Sequence, residues 1–281
     1  MTYVIKIIKY TIPIISILFA GCAPRIVPQY KDMGKITSTK SHTKQNEFGG
    51  VTYEIMYASG NAKKAVLHFT GRKKLKKTEI YFTDSYSTKT GHDNEARWYL
   101  PNGALEKKDI FYSDNFSFIS GYYKDTVYFD LNKKTETTER YYTNDVILNN
   151  GYYLEITIQD LNKNTEQNER YYTDDFASKN GYFKEISFWD INNNKERAEI
   201  YYTDHFADKH GYYLEVGYVD SDGKNKRIER FFSDAFRAKK GIAKQIIYYD
   251  AEGAILKEEF YDAKDQIIDK RDDNKERDLG N

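Results

Sequence analysis

Hydrophobic and polar residues alternate along most of this chain in short runs, and the runs recur every thirty residues. In one run, Leu154, Ile156 and Ile158 alternate with polar residues, a period of two that predicts a β-strand. A glycine comes before each run at constant spacing, at Gly91, Gly121, Gly151, Gly181, Gly211 and Gly241. The spacing predicts a tandem repeat of seven units, of which the first begins with Asn61 in place of glycine. The units span 61–90, 91–120, 121–150, 151–180, 181–210, 211–240 and 241–270.

Each unit contains a second extended segment after a turn, so the unit is predicted to be a β-hairpin. The turns contain Asp and Asn, as in Asp130-Leu-Asn132 and Asp160-Leu-Asn162, whose short side chains bond to their own backbone. The second strands end in an aromatic pair that follows a glutamate in most units, as in Glu169-Arg-Tyr-Tyr172. We expect these Glu, Arg and Tyr side chains to pair across neighbouring strands.

The segment between two hairpins carries the start and stop signals of a short helical turn. In one such segment, Thr173 is a favourable N-cap, Asp174 lies at the positive end of the helix dipole, and Lys179 lies near the other end. Gly181 follows at the place where helices commonly end in a left-handed conformation. Phe176 lies inside the turn, and we expect it to pack against the sheet.

These elements predict an all-β fold. Tandem thirty-residue hairpins, with a short helical turn between one hairpin and the next, are expected to form an elongated, largely single-layer antiparallel meander. The composition agrees, because hydrophobic residues make up only 40% of the chain while tyrosine occupies 27 positions. A ring with a polar tip suits the half-buried positions of a thin sheet.

The first residues, MTYVIKIIKYTIPIISILFAGCAP, have the pattern of a secretory signal. Basic residues come before an apolar run that is short for a membrane span. Two small residues, Ala20 and Gly21, then come directly before Cys22, the single cysteine of the chain. This arrangement resembles the lipobox of bacterial lipoproteins. The alternative is a signal anchor in which the cysteine has no role.

The lipobox resemblance implies that residues 1–21 are removed and that Cys22 carries lipid that holds the protein on a bacterial membrane. Ala23 follows the cysteine, where the family's sorting rule places Asp for the inner membrane, so the outer membrane is implied. Residues 22–48 are polar and are predicted to be a flexible tether. Residues 49–270 hold the hairpin array, and residues 271–281 are predicted to be a charged, disordered tail.

Two hairpins contain an aromatic strand followed by a glycine turn, Trp98-Tyr-Leu-Pro-Asn-Gly-Ala-Leu105 and Tyr248-Tyr-Asp-Ala-Glu-Gly-Ala-Ile255. They resemble the variant MORN repeats of bacterial proteins, and the likeness extends loosely over residues 61–270. The resemblance implies stacked β-hairpins. Members of that group include membrane-associated scaffolds and proteins described as antitoxins, so an antitoxin-like or immunity protein is one of the functions to consider.

The charge balance and the scattered histidines argue against two classes of function. Lys and Arg number 43, as do Asp and Glu, and a net charge of zero does not favour nucleic-acid binding. The histidines occupy different repeat positions, and no nucleophile or metalloprotease motif is present in the sequence. We predict a protein that is not an enzyme and that needs no cofactor.

Two turns have oxygen side chains at alternating places, Asp190-Ile-Asn-Asn-Asn-Lys-Glu196 and Asp220-Ser-Asp-Gly223, as calcium loops do. They lack the twelve-residue frame with its terminal glutamate, and the turn chemistry of Asp and Asn explains the same residues. We therefore predict no metal site.

The repeated surface predicts a protein partner in the cell envelope, because long repeat surfaces with edge strands are common interaction platforms. The tyrosine pairs are also similar to the aromatic hairpins of choline-binding cell-wall modules, so a glycan-binding module is the alternative function. The candidate interaction surface consists of Tyr152, Tyr153, Tyr171, Tyr172, Tyr201, Tyr202, Tyr212 and Tyr213.

Overall fold

The computed structural model describes residues 33–190, 195–219 and 225–272. The fold class is confirmed, because these residues form seventeen strands and six short helices, and the described strand pairs are all antiparallel. The described residues divide into two compact units, with the boundary between Leu105 and Glu106. The predicted signal peptide, Cys22 and residues 273–281 lie outside the described residues. The predicted tail begins too early, because its first two residues, Arg271 and Asp272, are paired in the last strand of the sheet.

The first unit contains five strands and one helix. Their bounds are β1 Ile36–His42, β2 Gly49–Tyr57, β3 Ala62–Thr70, β4 Leu75–Phe82, α1 Asp84–Thr90 and β5 His92–Tyr99. Each strand pairs with the next one in sequence. Alternate side chains of β3, among them Ala65, Leu67 and Phe69, are buried in an apolar cluster with Ile55 and Ile80 of the neighbouring strands. This period of two gives the first unit a compact core.

The structure differs from the predicted tether, residues 22–48, because part of that segment belongs to the sheet. Ile36–His42 form β1, which pairs with β2 from Ile36 opposite Tyr57 to His42 opposite Thr52. Most side chains of β1 are exposed, so its backbone pairing and not its burial holds it in place. Residues 22–32 of the predicted tether lie outside the described residues.

The second unit contains twelve strands and five helices. The strands are β6 Leu105–Tyr112, β7 Tyr122–Asp130, β8 Thr135–Tyr142, β9 Tyr152–Asp160, β10 Thr165–Tyr172, β11 Tyr182–Asp190, β12 Lys195–Tyr202, β13 Tyr212–Val219, β14 Asn225–Phe232, β15 Lys244–Tyr249, β16 Ile255–Tyr261 and β17 Ile267–Asp272. The helices are α2 Asp114–Ser120, α3 Asn144–Asn150, α4 Asp174–Asn180, α5 Asp204–His210 and α6 Asp234–Lys240. Each of these strands pairs with the next one in sequence, as a meander requires.

The aspartates of the hairpin turns bond to their own backbone, as predicted. Asp130 Oδ1 accepts hydrogen bonds from the backbone N–H groups of Asn132 and Lys133, each at 3.0 Å. Asp160 makes the same two contacts in the next hairpin. Backbone N–H donors, that of Lys133 first, lower the pKa of Asp130. The turns at 191–194 and 220–224 lie outside the described residues, and most of the two segments considered as calcium loops falls there.

The helices between hairpins carry the predicted caps and are longer than predicted. Each has seven residues, about two turns where one was expected. In α4, Thr173 Oγ1 accepts a hydrogen bond of 3.3 Å from the Phe176 N–H. Gly181 ends the helix in the left-handed region at φ 86°, and its N–H donates to the Ala177 carbonyl. In α3, by contrast, Thr143 occupies the cap position without a side-chain capping bond.

This difference between two equivalent threonines gives a direct test of capping. Thr173→Ala is expected to lower the free energy of unfolding by about 1 kcal/mol, since it removes the capping acceptor. Thr143→Ala removes the same side-chain atoms, but Thr143 makes no capping bond, so the loss of unfolding free energy is expected to be smaller. Urea unfolding followed by circular dichroism measures both. Equal losses in the two variants would contradict a capping role for the Thr173 hydroxyl.

Candidate binding surface

One face of the second unit carries a row of alternating acidic and basic side chains, which we call the charge ladder. Its members lie directly opposite one another on β7 to β11 and are Asp125, Arg140, Glu155, Arg170 and Glu185. Arg140 binds Asp125 with two bonds, Nε to Oδ1 at 3.0 Å and Nη2 to Oδ2 at 2.9 Å. Arg170 Nε lies 2.8 Å from Glu155 Oε2. Arg140 and Arg170 thus pair across strands as predicted, but with carboxylates of the preceding strands and not with the glutamates that come before the aromatic pairs.

Tyrosines donate hydrogen bonds to the carboxylates of the ladder. Tyr112 Oη lies 2.9 Å from Asp125 Oδ2, and Tyr172 Oη lies 2.6 Å from Glu185 Oε2. Burial, and then the Glu185 carboxylate, raise the pKa of Tyr172 far above its ordinary value. The hydrogen bond to Asp125 likewise raises the pKa of Arg140. These phenol and guanidinium groups therefore remain donors at neutral pH and stabilise the ladder.

The helices fix further aromatic rings against the ladder side of the sheet. Phe176 of α4 stacks on Tyr172, with ring centroids 4.5 Å apart, and meets Tyr182 edge to face at 5.4 Å. Phe206 of α5 makes the same two contacts one repeat later. Four of the eight tyrosines proposed as an interaction surface are half-buried in this aromatic stack: Tyr152, Tyr172, Tyr202 and Tyr212.

The opposite face of the sheet carries a second row of carboxylates, and several of them are bound by the tyrosine two residues later. Tyr171 Oη donates to Glu169, and Tyr201 Oη donates to Glu199 at 2.6 Å. Lys184 Nζ lies 2.7 Å from Glu169 and 4.7 Å from the centre of the Tyr171 ring.

These contacts shift the proton affinities of the groups and fix the rings. Burial and the bond to Glu199 raise the pKa of Tyr201 to about 12. Burial alone would raise the pKa of Glu169, but the bonds from Lys184 and Tyr171 lower it overall. The two tyrosine rings are therefore held in place, and the charge of Glu169 is balanced by Lys184.

Beside these rings lies a row of more exposed aromatic side chains, which we call the aromatic strip. Its members stand two positions after the repeat glycine in four consecutive units: Tyr123, Tyr153, Phe183 and Tyr213. Each is 42% to 46% exposed. The ring centroids of Phe183 and Tyr201 are 6.5 Å apart, and those of Tyr123 and Tyr141 are 6.4 Å apart. Because the members lie on every second strand from β7 to β13, neighbouring members are about 9.5 Å apart.

A shallow cleft of about 430 Å³ opens between Tyr153 and Phe183 of the aromatic strip. Tyr171, Tyr172 and two exposed residues of α4, Asp174 and Ser178, also line it. The cleft thus offers aromatic rings, several hydroxyl groups and one carboxylate to a ligand. Its lining is suited to binding an extended ligand by stacking and hydrogen bonds.

The structure divides the predicted tyrosine surface between the two faces of the sheet. Tyr153 and Tyr213 belong to the aromatic strip, and Tyr171 and Tyr201 border it, while the other four lie in the aromatic stack, of which Tyr172 also lines the cleft. The sequence-based set omits two members of the strip, Tyr123 and Phe183. Their position two residues after the repeat glycine is the signal that could have included them.

Among the residues that the structure describes, no group of three or more His, Cys, Asp or Glu side chains is arranged to hold a metal ion. In the same residues, no helix has the length and apolar character needed to cross a membrane.

Comparison with models of protein families finds no match for this chain, and neither does comparison with curated proteins. The resemblances to the lipobox and to MORN repeats therefore stay predictions. The aromatic strip is the feature from which a function can be inferred.

Proposed function

We propose that this protein is a bacterial envelope lipoprotein, anchored through Cys22, whose hairpin array is a non-enzymatic protein-binding module. The sequence Ala20-Gly21-Cys22 supports the anchor, and Ala23 supports the outer membrane as its location. The aromatic strip is the observation that carries the binding function. It presents four exposed aromatic side chains at the same position of four consecutive repeats.

The contrast between the two sets of rings supports a binding role for the strip. Rings in the aromatic stack, such as Tyr202, are half-buried and stack on a phenylalanine of a helix. The strip residues Tyr153 and Phe183 leave more than two fifths of their surface open to solvent. Aromatic side chains with few rotatable bonds provide contact area at a low cost in conformational entropy, and they are enriched in protein interfaces.

A glycan is the second candidate ligand, and the shape of the cleft favours it. The cleft between Tyr153 and Phe183 is shallow and open, and exposed ring faces can stack on the apolar faces of sugars. The aromatic strip would then bind a cell-wall polysaccharide in place of a protein.

Substitution of Cys22 tests the anchor. Cys22→Ser removes the thiol that would carry lipid, so we expect the variant to move from the membrane pellet to the soluble fraction of fractionated cells. Tyr153→Ala keeps Cys22 and is expected to stay in the pellet, which makes it the matched control. Unchanged membrane fractionation of Cys22→Ser would exclude the anchor.

Cross-linking in the native envelope tests the binding function. Recovery of a specific protein partner, reduced in a Tyr153→Ala/Phe183→Ala variant, would support the protein-binding module. Retention of the Cys22→Ser form on isolated cell-wall polysaccharide, with no cross-linked protein, would support the glycan-binding alternative instead.

A further inference from the structure

We propose that the aromatic strip binds a proline-rich segment of the partner in the polyproline II conformation, with proline at every third residue and basic residues between the prolines. This inference rests on the proposed function as a protein-binding module and names the chemistry of the partner. Spacing, surface chemistry and charge each support it.

The spacing of the strip matches the polyproline II helix. Neighbouring members of the strip lie two strand separations apart, about 9.5 Å. A polyproline II helix has three residues per turn and rises about 3.1 Å per residue, so it repeats about every 9.3 Å. From Tyr123 on β7 to Tyr213 on β13 the strip covers six strand separations, about 29 Å, and three turns of such a helix cover about 28 Å. The repeat of the peptide therefore matches the spacing of the strip positions, with one turn of the peptide for each ring.

The chemistry of the strip suits this partner. Proline-rich segments dock in grooves lined by aromatic rings, where the preformed helix limits the entropy lost on binding. The rings that border the strip are already oriented, because Tyr171 and Tyr201 are bonded to Glu169 and Glu199. The carbonyl groups of a polyproline II helix make no internal hydrogen bonds, so the phenol groups of Tyr153 and Tyr213 can donate to them.

The charge beside the strip favours basic residues in the partner. Asp174 is the charged side chain that lines the cleft, and it is exposed. Asp114 and Asp204 are exposed at the equivalent positions, in the first turns of α2 and α5. Below the rings, Lys184 is bound to Glu169, so its charge is balanced within the protein. An acidic polysaccharide would meet these carboxylates unfavourably, whereas lysine or arginine in a proline-rich peptide would pair with them.

Binding of a defined peptide by the full-length protein in detergent tests the proposal. The probe is a fluorescein-labelled peptide of four Pro-Pro-Lys repeats, and binding is followed by fluorescence anisotropy. We expect it to bind about tenfold or more tightly than a peptide of four Gly-Gly-Lys repeats, which has the same charge but no preformed helix. A peptide of four Pro-Pro-Gln repeats is expected to bind less tightly than the lysine peptide, because it lacks partners for Asp174 and its equivalents.

Variants of the strip locate the binding. Tyr153→Ala and Phe183→Ala are each expected to weaken binding of the Pro-Pro-Lys peptide about tenfold, as loss of a central aromatic contact does. Phe118→Ala is the matched control, since its ring in α2 is 81% exposed but is not part of the strip. Asp174→Asn is expected to weaken binding of the lysine peptide and to leave binding of the glutamine peptide unchanged.

Three results would overturn the proposal. The first is equal binding of the proline and glycine peptides, and the second is binding that neither ring variant weakens. The third is a combination of two findings: the proline peptide does not bind, and the protein binds cell-wall polysaccharide in a way that the ring variants abolish. If a protein partner were still cross-linked to the ring variants, the strip would not be its binding site, but the proposed function as a protein-binding module would still hold.

Discussion

Arg140→Ala is expected to lower the free energy of unfolding by about 3 kcal/mol, because it leaves a buried carboxylate without its cationic partner. Asp125 is only 4% exposed and would keep Tyr112 Oη as its remaining side-chain donor. The substitution also removes the guanidinium that lies 4.1 Å from the centre of the Tyr122 ring. The expected loss is at the lower end of the range for buried pairs, since the Arg140 side chain is 33% exposed. Urea unfolding followed by circular dichroism provides the measurement.

An exposed ion pair of the same unit is the control for this variant. Arg237 Nη2 lies 2.7 Å from Asp234 Oδ1, and both side chains are well exposed. Arg237→Ala is therefore expected to change stability by no more than about 1 kcal/mol. Adding Asp125→Asn to Arg140→Ala should restore part of the lost stability, because no buried charge is then left unpaired. Equal losses for Arg140→Ala and Arg237→Ala would show that the charge ladder does not stabilise the sheet.

Gly151→Ala is expected to destabilise the protein by about 2–5 kcal/mol, the sum of a backbone and a packing cost. Gly151 has φ 81°, in the left-handed region, where an L-residue costs about 1–2 kcal/mol. A Cβ atom at this position would also lie 2.0 Å from Cδ2 of Phe176, whose ring is held by its stacking on Tyr172. Overpacking of that kind typically costs a further ~1–3 kcal/mol.

Gly241 separates the two costs. It occupies the same repeat position at φ 72°, but nothing lies within 4 Å of an added Cβ atom. Gly241→Ala is therefore expected to lose only the backbone contribution, about 1–2 kcal/mol. Thermal or urea unfolding of the two variants compares them directly. If they lost the same stability, the contact with Phe176 would not explain why glycine occupies this repeat position.

Local chemistry explains why the repeat unit could be predicted from the sequence. In the turn at Asp160, the carboxylate accepts hydrogen bonds from backbone N–H groups two and three residues later. At the start of α4, the Thr173 hydroxyl accepts a hydrogen bond from the N–H of Phe176, three residues later. Such signals act within a few residues, so they are visible in the chain itself. The hairpins, their order and the position of the helices followed from them.

The parts that depend on pairing could not be predicted in the same way. β1 has a polar sequence and exposed side chains, and its conformation is set by β2 rather than by its own pattern. In the pair Tyr152-Tyr153, the exposure of Tyr153 depends on a β-bulge in the pairing of β9 with β10. Tyr171 lies opposite Leu154 but Tyr172 lies opposite Tyr152, so that Tyr153 is an extra residue on β9. The sequence shows that the second residue after the glycine is aromatic in four units, but it does not show that a bulge turns this residue toward solvent.

The charge ladder also determines how the array can change in length. Each of two consecutive hairpins contributes one acid on its first strand and one base on its second, as Asp125 with Arg140 and Glu155 with Arg170 show. Deletion of the unit 151–180 would place Arg140 opposite Glu185 and keep the alternation, whereas loss of a single strand would bring like charges together. Duplication or loss of a whole unit within residues 121–180 can therefore lengthen or shorten the aromatic strip while the acids and bases of the charge ladder continue to alternate.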